Sequence, residues 1–294
     1  MYMYLFSPDH CSCKIAQKVK VTIRTVDTLL DQGSGSINED LLLQTGNLYG
    51  VFDGATSLEK GGDTLGKTGG LLAAETAAQA FSRNGGTLCR LADRANSGIR
   101  VLMEARGVDL SRRRHLWSTS GVVVRVDREE IEWFQIGDSR ALLLYTDGSY
   151  RLLADPIDHD QETLRLWKEL GPNVTGTIQE SLADQILKVR KGMNIHYGVL
   201  NGEPQALDFF RHGRVPLTGV TDIILYTDGL FLPRSNPDLP EDLETFVRLY
   251  RLGGLKLIHR RVRELQKDDP RCLTFPRFKT HDDIAAIALR IHEE

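Results

Sequence analysis

Five short acidic segments interrupt the sequence, and each lies against an apolar run. They are Asn38-Glu39-Asp40, Phe52-Asp53-Gly54, Gly137-Asp138-Ser139-Arg140, Thr227-Asp228-Gly229 and His281-Asp282-Asp283-Ile284. In the second, Leu48-Tyr49-Gly50-Val51-Phe52 is rich in residues that favour a pleated, buried strand, and it stops abruptly at Asp53-Gly54. A lone Asp-Gly is ordinary turn chemistry. Five acidic corners at strand ends, recurring over the whole length, need a further reason. Carboxylates gathered in one place repel one another and lose acidity, and a bound divalent cation reverses that cost. With no useful Cys/His set, oxygen donors favour Mg²⁺ or Mn²⁺ over zinc. Two such ions ~4 Å apart can share a water, lower its pKa and stabilise an in-line displacement at phosphorus. Asp53 suits the bridging position, because its carboxylate has two oxygens and the Gly54 carbonyl lies beside it.

The elements that must position these corners follow from the apolar pattern. Leu41-Leu42-Leu43 and residues 48–52 form a hairpin around Thr45-Gly46-Asn47. Its open end brings Asp40 and Asp53 together, with Glu39 in the same neighbourhood. Strands are expected at 119–126, 131–136, 141–145, 195–200, 223–226 and 284–291, after a first strand marked by Val19, Val21, Ile23 and Val26. Helices are expected over 64–84, where Leu65, Leu72, Ala73, Ala80 and Phe81 share a face, and over 87–106. A helix through Leu243, Phe246, Val247 and Tyr250 stops at Gly253-Gly254, a left-handed cap signal, before a second through Leu255, Ile258, Val262 and Leu265. Strands in blocks with paired helices between them argue for an α+β fold rather than alternating βαβ units. Two sheets with helices packed outside bury every element in one domain over residues 1–294. Residues 1–18 read as an irregular lead. Residues 155–220 break the rhythm with two short helical patterns and read as an inserted flap or lid.

Composition bounds the function. At 294 residues, 41% hydrophobic, 26% charged and with a net charge of −3, the chain offers no electrostatic case for nucleic acid or an anionic membrane as partner. No apolar run approaches the ~18 residues of a transmembrane helix, and the first six residues lack the basic lead of a signal peptide. Four scattered cysteines make no disulfide scaffold, which points to a reducing cytoplasm. His10, Cys11 and Cys13 lack the second pair that a zinc site needs. Cys89 falls in a helical pattern, and Arg112-Arg113-Arg114-His115 reads as a solvated loop.

In order and approximate spacing, the five segments resemble the metal-dependent protein phosphatase family, the 2C type, from about residue 20 to residue 291. The resemblance implies a central β-sandwich of two antiparallel sheets flanked by pairs of antiparallel helices, with a metal site at one end. It implies hydrolysis of phosphoserine or phosphothreonine in proteins by a metal-activated water, without a covalent enzyme intermediate. Its cofactor would be Mg²⁺ or Mn²⁺, two ions with room for a third, and its partners a phosphoprotein substrate and a cognate Ser/Thr kinase acting on a monomer. Carried over residue by residue, Asp53 would bridge two metals and Gly54 would add its carbonyl, with Asp228 and Asp282 completing the site. Glu39 would hold a water on the metals, Asp40 would stand close by as ligand or support, and Asp138 would share a third ion with Asp228. Catalysis would then fall to Asp53, Asp228 and Glu39.

Asp283 stands where the family usually has Asn, so a supporting role is expected, and Arg140 is expected to be a structural ion-pair partner. Ser118-Thr119-Ser120-Gly121 only approximates the family's small-residue turn. Two departures matter more. Gly35 replaces a phosphate-binding Arg, and Ala55 stands where many members carry a His proposed as general acid. A missing guanidinium removes a bidentate anchor for phosphate; Lys67, Arg211 and Arg214 are candidate replacements. The departures imply a changed substrate range or reduced activity. They motivate an alternative, a pseudophosphatase serving as an interaction module. A phosphatase of small metabolites would share the site and differ in the lid.

Overall fold

The apolar runs of this chain are buried on both faces, and that sets its layering. The computed structural model describes residues 21–55 and 66–293. Its strands are β1 (Val21–Asp31), β2 (Asp40–Thr45), β3 (Leu48–Gly54), β4 (Thr119–Val126), β5 (Glu130–Ile136), β6 (Arg140–Tyr145), β7 (Tyr150–Leu152), β8 (Arg211–Pro216), β9 (Val220–Tyr226) and β10 (Ile284–Glu293). Its α-helices are α1 (Gly69–Ser82), α2 (Leu88–Ala105), α3 (Gln161–Leu170), α4 (Ile178–Ser181), α5 (Ala183–Lys191) and α6 (Leu243–Lys267). Two antiparallel five-stranded sheets result, one ordered β1-β10-β9-β6-β7 and the other β2-β3-β4-β5-β8.

Side-chain alternation explains the layers. Val51 of β3, Val122 and Val124 of β4, and Ile223 and Leu225 of β9 meet between the sheets. Their neighbours Phe52 and Val123 face the other way, into a core with Phe81 of α1 and Leu91 and Ile99 of α2. On the outer face of the first sheet, Ile224, Tyr226 and Ala286 pack with Phe246 and Ile258 of α6. Each central strand is therefore apolar on both sides, which is why the sequence shows continuous rather than alternating runs. The small residues Ala73, Ala74 and Ala77 bring α1 close to its sheet. The helix expected to end at Gly253-Gly254 does so: Gly254 has φ 66°, a left-handed position that glycine tolerates, and α6 bends there.

The structure departs from expectation at three places. Residues 195–200 form no strand. Asn194, at φ 52°, turns the chain, accepting the Val199 N–H at 3.0 Å and donating to Asn201 Oδ1 at 2.7 Å, so that apolar run closes a tight loop. Within the expected flap, residues 211–216 are instead β8, hydrogen-bonded at the edge of the second sheet. The short strand β7 had no apolar signal, since Tyr150 and Arg151 are exposed. His10, Cys11, Cys13, Val19, Leu65 and the expected lead over 1–18 lie outside the described residues. Among those described, Cys89 and Cys272 are free thiols, and no helix is long and apolar enough to cross a membrane.

Candidate functional site

Strand register alone assembles most of the acidic corners at one end of the sandwich. The β2–β3 hairpin sets Asp40 directly opposite Asp53. β4 then places Ser120 opposite Asp53 and Thr119 opposite Gly54, and Thr119 Oγ1 donates to the Asp53 carbonyl at 2.8 Å. In the other sheet Tyr226, the last residue of β9, pairs with Ala286 on one side and Arg140 on the other. Asp228, Asp282 and Asp138 therefore leave adjacent strand ends. Thr227 Oγ1 donates to Asp40 Oδ2 at 2.7 Å, and the Ser120 and Ser139 hydroxyls share a hydrogen bond of 2.7 Å. Both bonds tie one sheet to the other beneath the site.

Asp283 plays the supporting part expected of it. Its carboxylate accepts the N–H of Gly33 at 2.8 Å and that of Glu39 at 3.0 Å, fixing the segment that leads into β2. The N-terminus of α1 approaches from the opposite side. Thr68 caps that helix by accepting the Leu71 N–H at 3.2 Å, and its hydroxyl donates to Glu39 Oε1. Gly54 and Gly70 permit the approach. A Cβ on Gly54 would stand 2.5 Å from the Gly70 carbonyl, and one on Gly70 would stand 2.6 Å from Glu39 Oε1.

The electrostatics follow from this crowding. Burial pushes the carboxyls of Asp40, Asp53 and Asp228 well above the usual carboxylate range, and the neighbouring acids push further in the same direction. For Asp53 these neighbours are Asp40, Asp138 and Asp282; for Asp228 they are Asp53, Asp282 and Asp138. Among the described residues, Lys279 answers them. Lys279 Nζ donates to Asp282 Oδ1 at 2.7 Å. Burial opposes its charge, but Asp282 foremost, then Asp53 and Asp283, hold the ammonium above its ordinary range. Among the described residues, no three His, Cys, Asp or Glu side chains are disposed to hold an ion as they stand. Three of the acids instead turn to protein donors: Asp40 to Thr227, Glu39 to Thr68 and Asp282 to Lys279. The donor set itself, all oxygen and short of compensating charge, suits a hard divalent cation.

A cleft of about 130 Å³ opens beside the corners, with Asp138, Asp228, Asp282, His159 and Lys279 on its wall. His159 stacks on Tyr197 with ring centroids 4.0 Å apart, and its Nδ1 stands 3.9 Å from Asp138 Oδ2. Beside it, burial raises the Asp160 carboxyl while His159 pulls the other way. Three arginines of the wall are committed elsewhere. Arg140 is ion-paired with buried Glu241 and lies over the Phe231 ring, as expected of a structural partner. Arg234 donates to Asp158 Oδ2 at 2.6 Å and to the Leu239 carbonyl at 2.7 Å, and Arg277 binds Asp269 at 2.9 Å. The cations expected to replace the missing anchor are engaged as well: Lys67 with Glu75 at 2.6 Å, Arg211 with Asp155 at 3.7 Å and Arg214 with Glu130 at 2.8 Å. The last lines an open depression at the β5–β8 edge that holds none of the five corners.

Register thus brings Glu39, Asp40, Asp53, Gly54, Asp138, Asp228 and Asp282 to one end of the fold. Lys279 and His159 were not expected in their company. Lys279 sits in an aperiodic segment, and only its position three residues before Asp282 hints at it. His159 lies between Asp158 and Asp160 at the start of α3, a charged triplet that reads as an ordinary helix entrance.

The family model for protein phosphatase 2C matches residues 32–252, which include four of the five corners. No curated protein matches the chain significantly. Solved structures similar to it include the catalytic domain of the serine/threonine protein phosphatase PstP in complex with two manganese ions. That structure has 17% identity and a TM-score of 0.54, over 94% of this chain and 100% of that one. PppA, a regulatory component of the type VI secretion system (T6SS) in Pseudomonas aeruginosa, matches with 17% identity and a TM-score of 0.55, over 93% and 100%. Stp1 from Staphylococcus aureus, a serine/threonine phosphatase, matches with 13% identity and a TM-score of 0.52, over 94% and 96%. At such identities the structures speak for the fold, an α+β sandwich with helices on both sides. With the family model spanning most of its length, the chain belongs to the protein phosphatase 2C family.

Proposed function

We propose that this chain is an active metal-dependent phosphatase of phosphoserine and phosphothreonine in proteins. The observation that carries the reading is the convergence of Asp40, Asp53 and Asp228 from both sheets as crowded, mutually repelling carboxylates, the first buried and the other two half-buried. A fold gains nothing from such a cluster unless a cation completes it. Asp53, Asp228 and Asp282 are the principal ligands in this reading, with the Gly54 carbonyl, Glu39, Asp40 and Asp138 around them. Mg²⁺ or Mn²⁺ ions held there, two with room for a third, would supply an activated water for in-line attack and neutralise charge on the phosphate. The chain's own part is positioning. Thr227 and Thr68 orient the Asp40 and Glu39 carboxylates, Asp283 holds the Glu39 backbone, and Asp53 is fixed through its carbonyl by Thr119. Ala55 has no proton to give a leaving alkoxide, so that proton comes from water. The region 155–220, which puts Asp158, His159, Asp160 and Leu164 on the wall of the cleft, is the substrate-selecting element in this reading, in a monomer that opposes a Ser/Thr kinase in the cytoplasm.

The test is hydrolysis of a phosphothreonine peptide with Mn²⁺, Mg²⁺ or EDTA, beside the Asp53→Asn variant. Metal-dependent turnover that disappears in the variant is the expected result. Absence of turnover in folded, metal-saturated protein would overturn the reading. It would favour a pseudophosphatase, the reading supported by Gly35 and Ala55 and by the engagement of Lys67, Arg211 and Arg214 in other ion pairs.

A further inference from the structure

A phosphate dianion entering the cleft meets the carboxylates of Asp138, Asp228 and Asp282 on its wall. Metal ions offset part of that repulsion, and a protein cation at the rim would offset more while fixing the phosphate's orientation. The arginines of the wall do not qualify, because Arg140, Arg234 and Arg277 already donate to Glu241, Asp158 and Asp269. Lys279 differs from them. Its ammonium has three donors and, among the described residues, makes one hydrogen bond, to Asp282 Oδ1 at 2.7 Å. A quarter of its side chain is open to solvent, so a ligand in the cleft can reach it.

The backbone around Lys279 is held firmly. The carbonyl of Phe278 accepts from Gln179 Nε2 at 2.6 Å, and that of Thr280 accepts from Arg277 Nε at 3.1 Å. Upstream, the Asp269 carboxylate accepts the N–H groups of Leu273, Thr274 and Phe275 at 2.9–3.1 Å and pairs with Arg277. The segment between α6 and β10 therefore presents the Lys279 ammonium from a fixed base, against the same Asp282 that the proposed function gives to the metals. When Asp282 turns its oxygens to a cation, the Lys279 N–H donors are released for an incoming anion.

The geometry points to Lys279 as the substrate-phosphate anchor of this chain, a point-charge contact in the place left without a guanidinium at Gly35. The inference rests on the proposed phosphatase reading for its substrate. Its test, however, includes a measurement that needs no turnover. Inorganic phosphate is titrated calorimetrically into Mn²⁺-saturated wild type, Lys279→Met, Lys279→Gln and Lys279→Arg, and KM and kcat for a phosphothreonine peptide are measured beside it. Mn²⁺ affinity is measured in each variant.

Loss of a charge-assisted contact is expected to weaken phosphate binding and raise KM by about tenfold or more in Lys279→Met. The fall in kcat should be smaller, and Mn²⁺ should bind at least as tightly as in wild type. Lys279→Gln keeps a donor for Asp282 without the charge and should behave like Lys279→Met, whereas Lys279→Arg should recover most of the affinity. Phosphate affinity and KM within about twofold of wild type in folded, Mn²⁺-saturated Lys279→Gln would overturn the inference. So would wild-type protein that binds no phosphate, or variants whose sole defect is in Mn²⁺ affinity, the mark of a structural counter-ion. Wild type that binds phosphate through Lys279 but does not turn over would sink the phosphatase reading and leave the anchor standing. Turnover indifferent to Lys279 would do the reverse.

Discussion

Removing one carboxylate from the cluster should stabilise the metal-free protein. Asp53 and Asp40 are direct cross-strand partners, which places their Cβ atoms ~5 Å apart. Two unit charges at that separation repel by about 3 kcal/mol with an effective dielectric near 20. Partial protonation and relaxation reduce the saving from Asp53→Asn to about 1–3 kcal/mol, or roughly 2–8 °C in melting temperature for a domain of this size. The effect reverses when metal is added. Wild type should gain about 2.7 kcal/mol from Mn²⁺ at a hundred times its dissociation constant, and the variant should gain little. The assay is thermal unfolding followed by circular dichroism, in EDTA and in saturating Mn²⁺. The expected result is a crossing: Asp53→Asn melts higher than wild type in EDTA and lower in Mn²⁺. A variant that melts lower than wild type in both would show that the Asp53 carboxylate is held by contacts of the protein's own, and the argument from uncompensated charge would fail.

Two further outcomes concern the frame around the site. Arg140 and Glu241 form a pair whose side chains are 7% and 4% exposed, so Arg140→Met should cost about 3–5 kcal/mol by stranding a buried carboxylate, while Arg140→Met with Glu241→Leu should recover most of it; chemical denaturation measures both. Asp269→Ala strips three N–H groups of their acceptor and Arg277 of its ion-pair partner and should expose residues 268–283 to limited proteolysis before the sandwich itself unfolds. Burial works against the charged Asp269, but those donors outweigh it and hold its pKa below 3.8. Its contribution is therefore complete above about pH 4 and is lost as pH falls through the lower folded value, so amide protection in this segment, taken relative to the intrinsic exchange rate at each pH, should fall in acid for wild type and be less sensitive to pH in the variant.

What the sequence disclosed and what it hid divide along physical lines. The β2–β3 hairpin, the three strands from Thr119 to Tyr145 and the break at Gly253-Gly254 were legible because each depends on local periodicity or turn chemistry. The hairpin alone placed Asp40 beside Asp53, since register is arithmetic once the turn is known. Residues 195–200 misled because apolar content does not separate a buried strand from a buried loop. The side-chain bonds of Asn194 decide that case, and no period encodes them. β8 escaped for the opposite reason: an edge strand reading Arg-His-Gly-Arg carries no apolar signal. Lys279 was out of reach because its neighbours Asp53 and Asp228 come from strands far away in the chain.

The charge pattern also bears on whether this fold is kept as a catalyst or as a scaffold. Neutral residues of similar volume at positions 40, 53 and 228 would remove the repulsion and pack at lower cost. The chain instead fixes two acids of the site and makes room beside them: Thr227 holds Asp40 across the sheets, Thr68 and Asp283 hold Glu39, and two glycines admit α1. Hydrogen-bond donors aimed at carboxylates stabilise their charged form, the form in which they ligate a metal. The scaffold reading explains Gly35 and Ala55 but not this apparatus. The catalytic reading explains the apparatus and leaves the phosphate without its usual anchor, the part proposed for Lys279, whose segment is tied to that of Gly35 where the Ser34 N–H donates to the His281 carbonyl at 2.8 Å. On that reading Gly35, Ala55 and Lys279 belong together, with the cation that meets the substrate carried by the segment before β10 rather than by the segment before β2.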